Sequence, residues 1–187
     1  MAKIIRRVGP CQLTVREPTF ETLARSITFQ QLSGKAATTI FERVRKAAGP
    51  RFTARAFLKL TPEQLSACGL SRQKTASLRD LAARVDRGEI NFRKLVTLQD
   101  EEVIATLSQV RGVGVWTAQM FLMFALERPN VMPLADLGIR NAVRRAYGLE
   151  ELPKAADLSK LAGKWHPYCS VASWYLWRSL EGSADIS

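Results

Sequence analysis

Apolar residues recur at helical spacing along almost the whole chain, and glycine or proline interrupts the runs before any becomes long. Such a pattern folds as many short helices with short connections. Phe20, Leu23, Ala24 and Ile27 share one face of a helix predicted over Thr19–Phe29, with Pro18 near its start. The polar stretch Gln30-Gln31-Leu32-Ser33-Gly34 breaks that helix. A second helix is predicted over Lys35–Ala48, with Ala36, Ile40, Val44 and Ala47 inward and Gly49-Pro50 as its stop. Thr61-Pro62-Glu63-Gln64 is a helix start in which Thr61 caps and Gln64 closes a capping box. That helix stops at Gly69, and Ser71 begins another that carries Leu78, Leu81 and Val85 up to Gly88. Asp100 is placed to cap a helix bearing Val103, Ile104, Leu107 and Val110. Only Lys3–Val8 and Gln12–Val15 read as short extended pieces. The fold class is therefore all-α, with little or no β at the N-terminus.

A chain of 187 residues, 47% of them hydrophobic, fits one domain or two small lobes sharing a core. Its 28 Lys+Arg against 17 Asp+Glu leave a net charge of +11, which favours a polyanionic partner, either nucleic acid or a membrane surface. The apolar run Met120–Leu126 is too short to span a bilayer, and MAKIIRRVGP lacks the apolar stretch of a signal peptide. Cys11, Cys68 and Cys169 are widely spaced and odd in number, which argues against a disulfide framework and for a reduced, intracellular location. With His166 as the lone histidine, they build neither a zinc nor an iron–sulfur site.

The segment Leu107–Gly148 reads as helix, glycine turn, apolar helix, proline-bearing loop and basic helix. In Arg111-Gly112-Val113-Gly114, two glycines let the backbone take positive φ and expose successive N–H groups. Those donors, at the start of the next helix, suit a phosphate oxygen, and a plain packing corner is an equally good reading. Thr117 and Trp116 open that next helix. Trp116 can stack on a nucleobase or be buried in the core. Asp136 precedes Leu137, Ile139 and Val143, so it is an N-cap as well as a carboxylate held in place for chemistry. Arg140, Arg144 and Arg145 follow on the same helix, where a solvated face or a phosphate contact are the two readings. Trp165, Tyr168 and Ala172 have the spacing to seal a core, while Trp174 and Trp177, one turn apart, place at least one ring toward a pocket. His166, next to Pro167, is a helix-start or surface residue.

Three segments together resemble a known family. LSQVRGVGVWTAQMFLMF…MPLADLGIRNAVRRAYGL is similar to the helix-hairpin-helix motif of the DNA glycosylase superfamily, with its Gly/Pro-rich loop and essential Asp. ARSITFQQLSGKAA resembles an early helix and loop of that fold, and WHPYCSVASWYLW its closing helix. The nearest branch is the alkylpurine one, that of bacterial 3-methyladenine DNA glycosylase II. The resemblance implies a single glycosylase domain over residues 1–187, made of two helical lobes with the pocket between them and the hairpin at about 107–126. It implies that Asp136 is the catalytic carboxylate, that Trp116, Trp177 and Trp174 line the base pocket, and that Gln31 or Leu32 fills the gap left by a flipped nucleotide. Gly112, Val113, Gly114, Thr117 and Arg140 then hold the DNA backbone. Trp116 stands where the bifunctional branch has its Schiff-base lysine, and a tryptophan forms no imine, so lyase activity is not expected.

The chain departs from the branch at Cys169, where arginine is usual, and at Gln31, which replaces a leucine. Only the residues ahead of Pro18 stand where the longer bacterial enzymes carry a mixed N-terminal domain, and the four-cysteine cluster of the endonuclease-type branch is absent. The expected activity is release of alkylated purines, of the 3-methyladenine and 7-methylguanine class, from double-stranded DNA. No cofactor and no catalytic metal are required, and a monovalent cation, Na+ or K+, at the hairpin is implied by the family alone. A monomer is expected, with no membrane partner, cytoplasmic at the bacterial nucleoid or nuclear in a eukaryote. A non-catalytic helix-hairpin-helix DNA-binding protein is the alternative, and Asp136 with the clustered tryptophans argues against it. A bifunctional enzyme for oxidised bases is the third reading, which Trp116 opposes.

Overall fold

The computed structural model describes residues 1–181. Among them the chain forms α-helices and no strand. In order these are α1 (Ala2–Val8), α2 (Phe20–Phe29), α3 (Gly34–Ala47), α4 (Ala54–Leu58), α5 (Pro62–Ala67), α6 (Arg72–Asp86), α7 (Phe92–Leu95), α8 (Asp100–Leu107), α9 (Val115–Phe124), α10 (Leu137–Tyr147), α11 (Ala155–Ala162) and α12 (Cys169–Arg178). The fold is all-α. Local sequence explains most helix starts. Thr19, Ser33, Thr53, Ser71 and Asp136 each accept the backbone N–H three residues on. The capping box at α5 forms in both directions, with Gln64 N–H to Thr61 Oγ1 at 3.3 Å and Thr61 N–H to Gln64 Oε1 at 2.8 Å.

The helices group into two compact units. One, Arg16–Phe121, holds α2 to α8 and most of α9. Its phenylalanines interlock: Phe52 lies 5.3 Å from Phe20, 5.5 Å from Phe41 and 6.2 Å from Phe57, ring centre to ring centre. The other comprises Met1–Val15 and the chain from Leu122 onward, with α1, α10, α11 and α12. Its core joins Ile4, Ile139, Val143, Leu158, Trp165, Trp174 and Leu176.

Several expectations are corrected. Lys3–Val8 is helical rather than extended: α1 buries Ile4 in the core just described. The Arg7 guanidinium donates to the Ser179 carbonyl, and the Tyr175 hydroxyl reaches the Gly9 carbonyl at 2.9 Å. Packing overrides the weak extended preference of a short segment. Gln12–Val15 is irregular. On α3 the buried face is Ala37, Phe41 and Val44, one position round from the predicted Ala36, Ile40 and Ala47. Phe41 carries more apolar area than any alanine and takes the inward place. Asp100 lies inside the first turn of α8, and Gln99 is the cap, its N–H on Glu102 Oε2 at 2.9 Å. Tyr168 is exposed, whereas Trp165 and Ala172 are buried as their spacing predicts.

Candidate functional site

Asp136 is built into the unit that carries α10 and α12. Its backbone N–H donates to the Pro133 carbonyl at 3.0 Å, which turns the chain, and its side chain caps α10. Oδ1 accepts two hydrogen bonds, from the Ile139 N–H at 2.7 Å and from Trp177 Nε1–H at 3.0 Å. The residue is only 8% exposed. A carboxylate taken so far out of water needs donors fixed on it, and a helix start with an indole N–H supplies them. Gly138 makes room for the arrangement: a Cβ there would stand 3.1 Å from Asp136 Oδ1 and 3.2 Å from Trp177 Cδ1. The Trp177 indole stacks on Phe124, with ring centres 6.1 Å apart at 27°.

Of the predicted tryptophan pair, Trp177 donates to the acid. Trp174 is buried in the core of its unit, edge-on to Tyr175 at 5.0 Å. The two rings are three residues apart and so differ by about 60° around α12, with Trp174 on its buried side and Trp177 at the edge of it. The loop before Asp136 is pinned from the other end of α12. Ser170 Oγ donates to the Arg128 carbonyl at 2.6 Å and accepts from the Val131 N–H at 3.0 Å. The Ser170 N–H donates to the Pro129 carbonyl at 2.9 Å. Nothing in the sequence marks Ser170 for this role. Arg140 spends its Nε–H on the Pro153 carbonyl at 2.9 Å, which makes it a clamp within the unit before anything else. Cys169 is buried with Sγ 3.5 Å from the Ala162 carbonyl, and burial pushes its thiol pKa up, so it is not a reactive thiol.

The glycine turn belongs to the other unit. Gly112 alone takes a positive φ, 76°, whereas Gly114 does not, so one glycine rather than two is conformationally required. A Cβ on Gly112 would also sit 2.6 Å from Ser77 Oγ. The Val113 side chain is buried, and its N–H is already used on the Val110 carbonyl at 3.0 Å. Val113 therefore shapes the turn and does not offer its amide to an anion. The Thr117 side chain is buried too, with Oγ1 accepting from Gln30 Nε2–H at 3.2 Å. The same amide reaches the Gly112 carbonyl at 3.0 Å. Asp80 Oδ2 accepts the Arg111 N–H at 2.8 Å and Arg84 Nε–H at 3.1 Å. Burial works against the Asp80 carboxylate, but the Arg111 amide and Arg84 outweigh it and hold its pKa below the usual range. Gln30 and Asp80, both missed in the sequence, thus fix the hairpin from two sides.

Beyond the turn, Val115 and Trp116 open α9 on the surface, and the Trp116 indole is 44% exposed. An open cleft of about 400 Å3 beside Gly112 is lined by Arg72, Gln73, Ser77 and Arg111, so two guanidinium groups flank the hairpin. Gln31 and Leu32, predicted as a wedge, are both exposed after the end of α2, and Gln31 takes a left-handed φ of 55°. Among the described residues no group of three or more His, Cys, Asp or Glu is placed to hold a metal ion, and no helix is long and apolar enough to cross a membrane.

Known proteins resemble this chain in sequence and in fold. Residues 24–167 match the profile of the HhH-GPD superfamily of base excision DNA repair proteins. DNA-3-methyladenine glycosylase 1 of Schizosaccharomyces pombe is 33% identical over 182 residues, which cover 96% of this chain and 80% of that protein. The structure of 3-methyladenine DNA glycosylase (Mag1) of Schizosaccharomyces pombe in complex with abasic DNA superposes with a TM-score of 0.86 at 33% identity, covering 100% of this chain and 93% of that one. The DNA-3-methyladenine glycosidase of Bacillus halodurans gives the same TM-score and identity over 98% of this chain and 85% of its own. The chain belongs to the HhH-GPD superfamily of base excision DNA repair proteins.

Proposed function

We propose that this protein is a monofunctional DNA N-glycosylase that releases alkylated purines, of the 3-methyladenine and 7-methylguanine class, from duplex DNA. The observation that carries the reading is the Asp136 carboxylate, buried and oriented through Oδ1 by Ile139 N–H and Trp177 Nε1–H. It is supported by relatives that bear the name 3-methyladenine glycosylase across most of this chain. An alkylated purine is cationic while attached to its sugar. When the N-glycosyl bond breaks, the bonding electron pair goes to the base, which departs neutral without prior protonation. The sugar gains positive charge as the bond breaks, and a fixed carboxylate stabilises that charge better than mobile water does. Water then adds at C1′ and loses its proton, giving an abasic site. One acid suffices, in contrast to the paired carboxylates of sugar hydrolases.

The remaining residues serve access to the base. A base inside a duplex is out of reach until it is flipped, at a cost of a few kcal/mol that falls at damaged pairs. Gln31 and Leu32 are the wedge, and Trp116 and Trp177 offer aromatic faces that attract a cationic base by about 0.5–2 kcal/mol per contact. The amides of Gly112 and Gly114 and the start of α9 hold the backbone of the bent strand, with Arg72 and Arg111 beside them. A Na+ or K+ ion at the hairpin would be held by backbone carbonyls of the Arg111–Gly114 turn, hard oxygen donors of the kind such an ion takes. Such an ion would tie hairpin to phosphate and needs no place in the bond-breaking step. The protein acts as a monomer on intracellular DNA.

Heavily methylated duplex DNA incubated with the protein is expected to release 3-methyladenine or 7-methylguanine, identified by mass, and borohydride is expected to trap no covalent adduct on abasic DNA. Salt-sensitive DNA binding without any released base would sink the glycosylase reading and favour a binding module. Trp177→Phe keeps an aromatic ring beside Phe124 but removes the donor to Asp136. It is expected to lower the single-turnover excision rate about tenfold, with little change in DNA affinity.

A further inference from the structure

The turn after α2 is closed by a residue from α6. Lys74 Nζ lies 2.8 Å from the Ile27 carbonyl, 2.9 Å from the Thr28 carbonyl and 2.7 Å from the Gln30 carbonyl. An ammonium has three protons, and here three carbonyl oxygens receive them. All three lie at the C-terminal end of α2, where a cation is favoured by the helix dipole, and the Ile27 carbonyl also accepts the Gln30 N–H at 3.4 Å. The next residue, Gln31, stands at φ 55°, a conformation that non-glycine residues adopt only when their surroundings hold them there. Leu32 follows and is exposed. Gln30, whose carbonyl ends on Lys74, sends its side-chain amide to the Gly112 carbonyl and to Thr117 Oγ1. Lys74 is half-buried, and burial pushes its pKa down, a cost the three charge-assisted bonds offset. An ammonium that donates all three protons has no lone pair to offer a sugar carbon, so Lys74 does not substitute for an imine-forming lysine.

We propose that Lys74 is a positioning residue for base flipping: its ammonium, closed on the last carbonyls of α2, fixes the left-handed turn at Gln31 and so the stance of the Gln31–Leu32 wedge. This rests on the glycosylase reading given above. A residue that acts through the wedge has a property that a merely structural residue lacks. Its loss matters most where the base is hard to extrude, and matters not at all once the wedge is gone.

The test uses the full-length protein in single-turnover excision of an alkylated purine placed opposite its normal partner or opposite an abasic analogue. Lys74→Met keeps the aliphatic stem and removes every donor. It is expected to slow excision at the paired lesion about tenfold and at the unpaired lesion less than about threefold, with affinity for abasic DNA unchanged within about twofold. In protein already carrying Gln31→Ala and Leu32→Ala, adding Lys74→Met is expected to change nothing further. Lys74→Arg, which keeps the charge, is expected to recover part of the loss at the paired lesion. Equal slowing at both lesions, a full additional loss in the wedge-less protein, or no slowing overturns the proposal. If Lys74→Met does not fold, Lys74→Gln, which keeps an amide donor, is read in the same cycle. Failure of the unaltered protein to release any base overturns the glycosylase reading itself, whereas normal release with an additive Lys74 effect overturns this proposal alone.

Discussion

Asp136→Asn is expected to cut base release by roughly 10² to 10³-fold while leaving the fold and DNA binding in place. Asparagine keeps an Oδ1 acceptor, so the bonds from Ile139 N–H and Trp177 Nε1–H persist and α10 retains its cap. What disappears is the negative charge that stabilises the electron-poor sugar as the base departs. Loss of one fixed group that stabilises charge in the transition state costs roughly 10² to 10³-fold, and here it is the only carboxylate the reading assigns to the reaction. The melting temperature should move by less than about 4 °C, the shift that 1 kcal/mol produces in a chain of this size. The check is single-turnover release from methylated DNA beside a binding isotherm on abasic DNA. Excision at the normal rate by this variant would remove Asp136 from the mechanism.

The second large effect is expected from Gly112→Ala. At φ 76° an L side chain costs about 1–2 kcal/mol in backbone strain. The new methyl also meets Ser77 Oγ at 2.6 Å and Ser77 Cβ at 3.4 Å. Ser77 is itself bonded to the Gln73 carbonyl at 3.1 Å, so turning it away is not without cost. The hairpin should yield, carrying the Gly112 carbonyl off Gln30 and loosening the proposed phosphate contact. Duplex affinity is expected to fall roughly tenfold, equivalent to about 1.4 kcal/mol, and the melting temperature by about 2–8 °C. Adding Ser77→Ala removes the oxygen but not the strain in φ, so it should restore only part of the loss. A Gly112→Ala protein with unaltered affinity and melting would show that the turn does not depend on this glycine.

Much of this architecture can be read from the chain because helices declare themselves locally. Thr61 with Gln64, and Ser71 ahead of α6, are recognisable by residue type and spacing alone, and the structure forms both caps. Asp136 is legible for the same reason: an acid immediately before an amphipathic run is both a cap and a suspect. The misses share a cause. Which face of α3 turns inward, whether residues 3–8 coil or extend, and which of Trp174 and Trp177 meets the acid are decided by neighbours distant in sequence. Spacing along one helix carries no record of them. Gln30, Lys74 and Ser170 escaped notice because each works on backbone carbonyls, and a carbonyl is present at every residue. Gly114 misled for the opposite reason, since glycine permits a positive φ without requiring one.

Ser170 and Trp177 lie seven residues apart on α12, two turns or about 10 Å along the axis. The first grips the loop that delivers Asp136, and the second grips its carboxylate. The acid is therefore held to a ruler whose only graduation is the helical rise. Inserting or deleting one residue between the two grips would swing one of them by about 100° and put the loop and the carboxylate out of phase. Substitutions along this stretch can be absorbed one at a time, but its length is not free to vary.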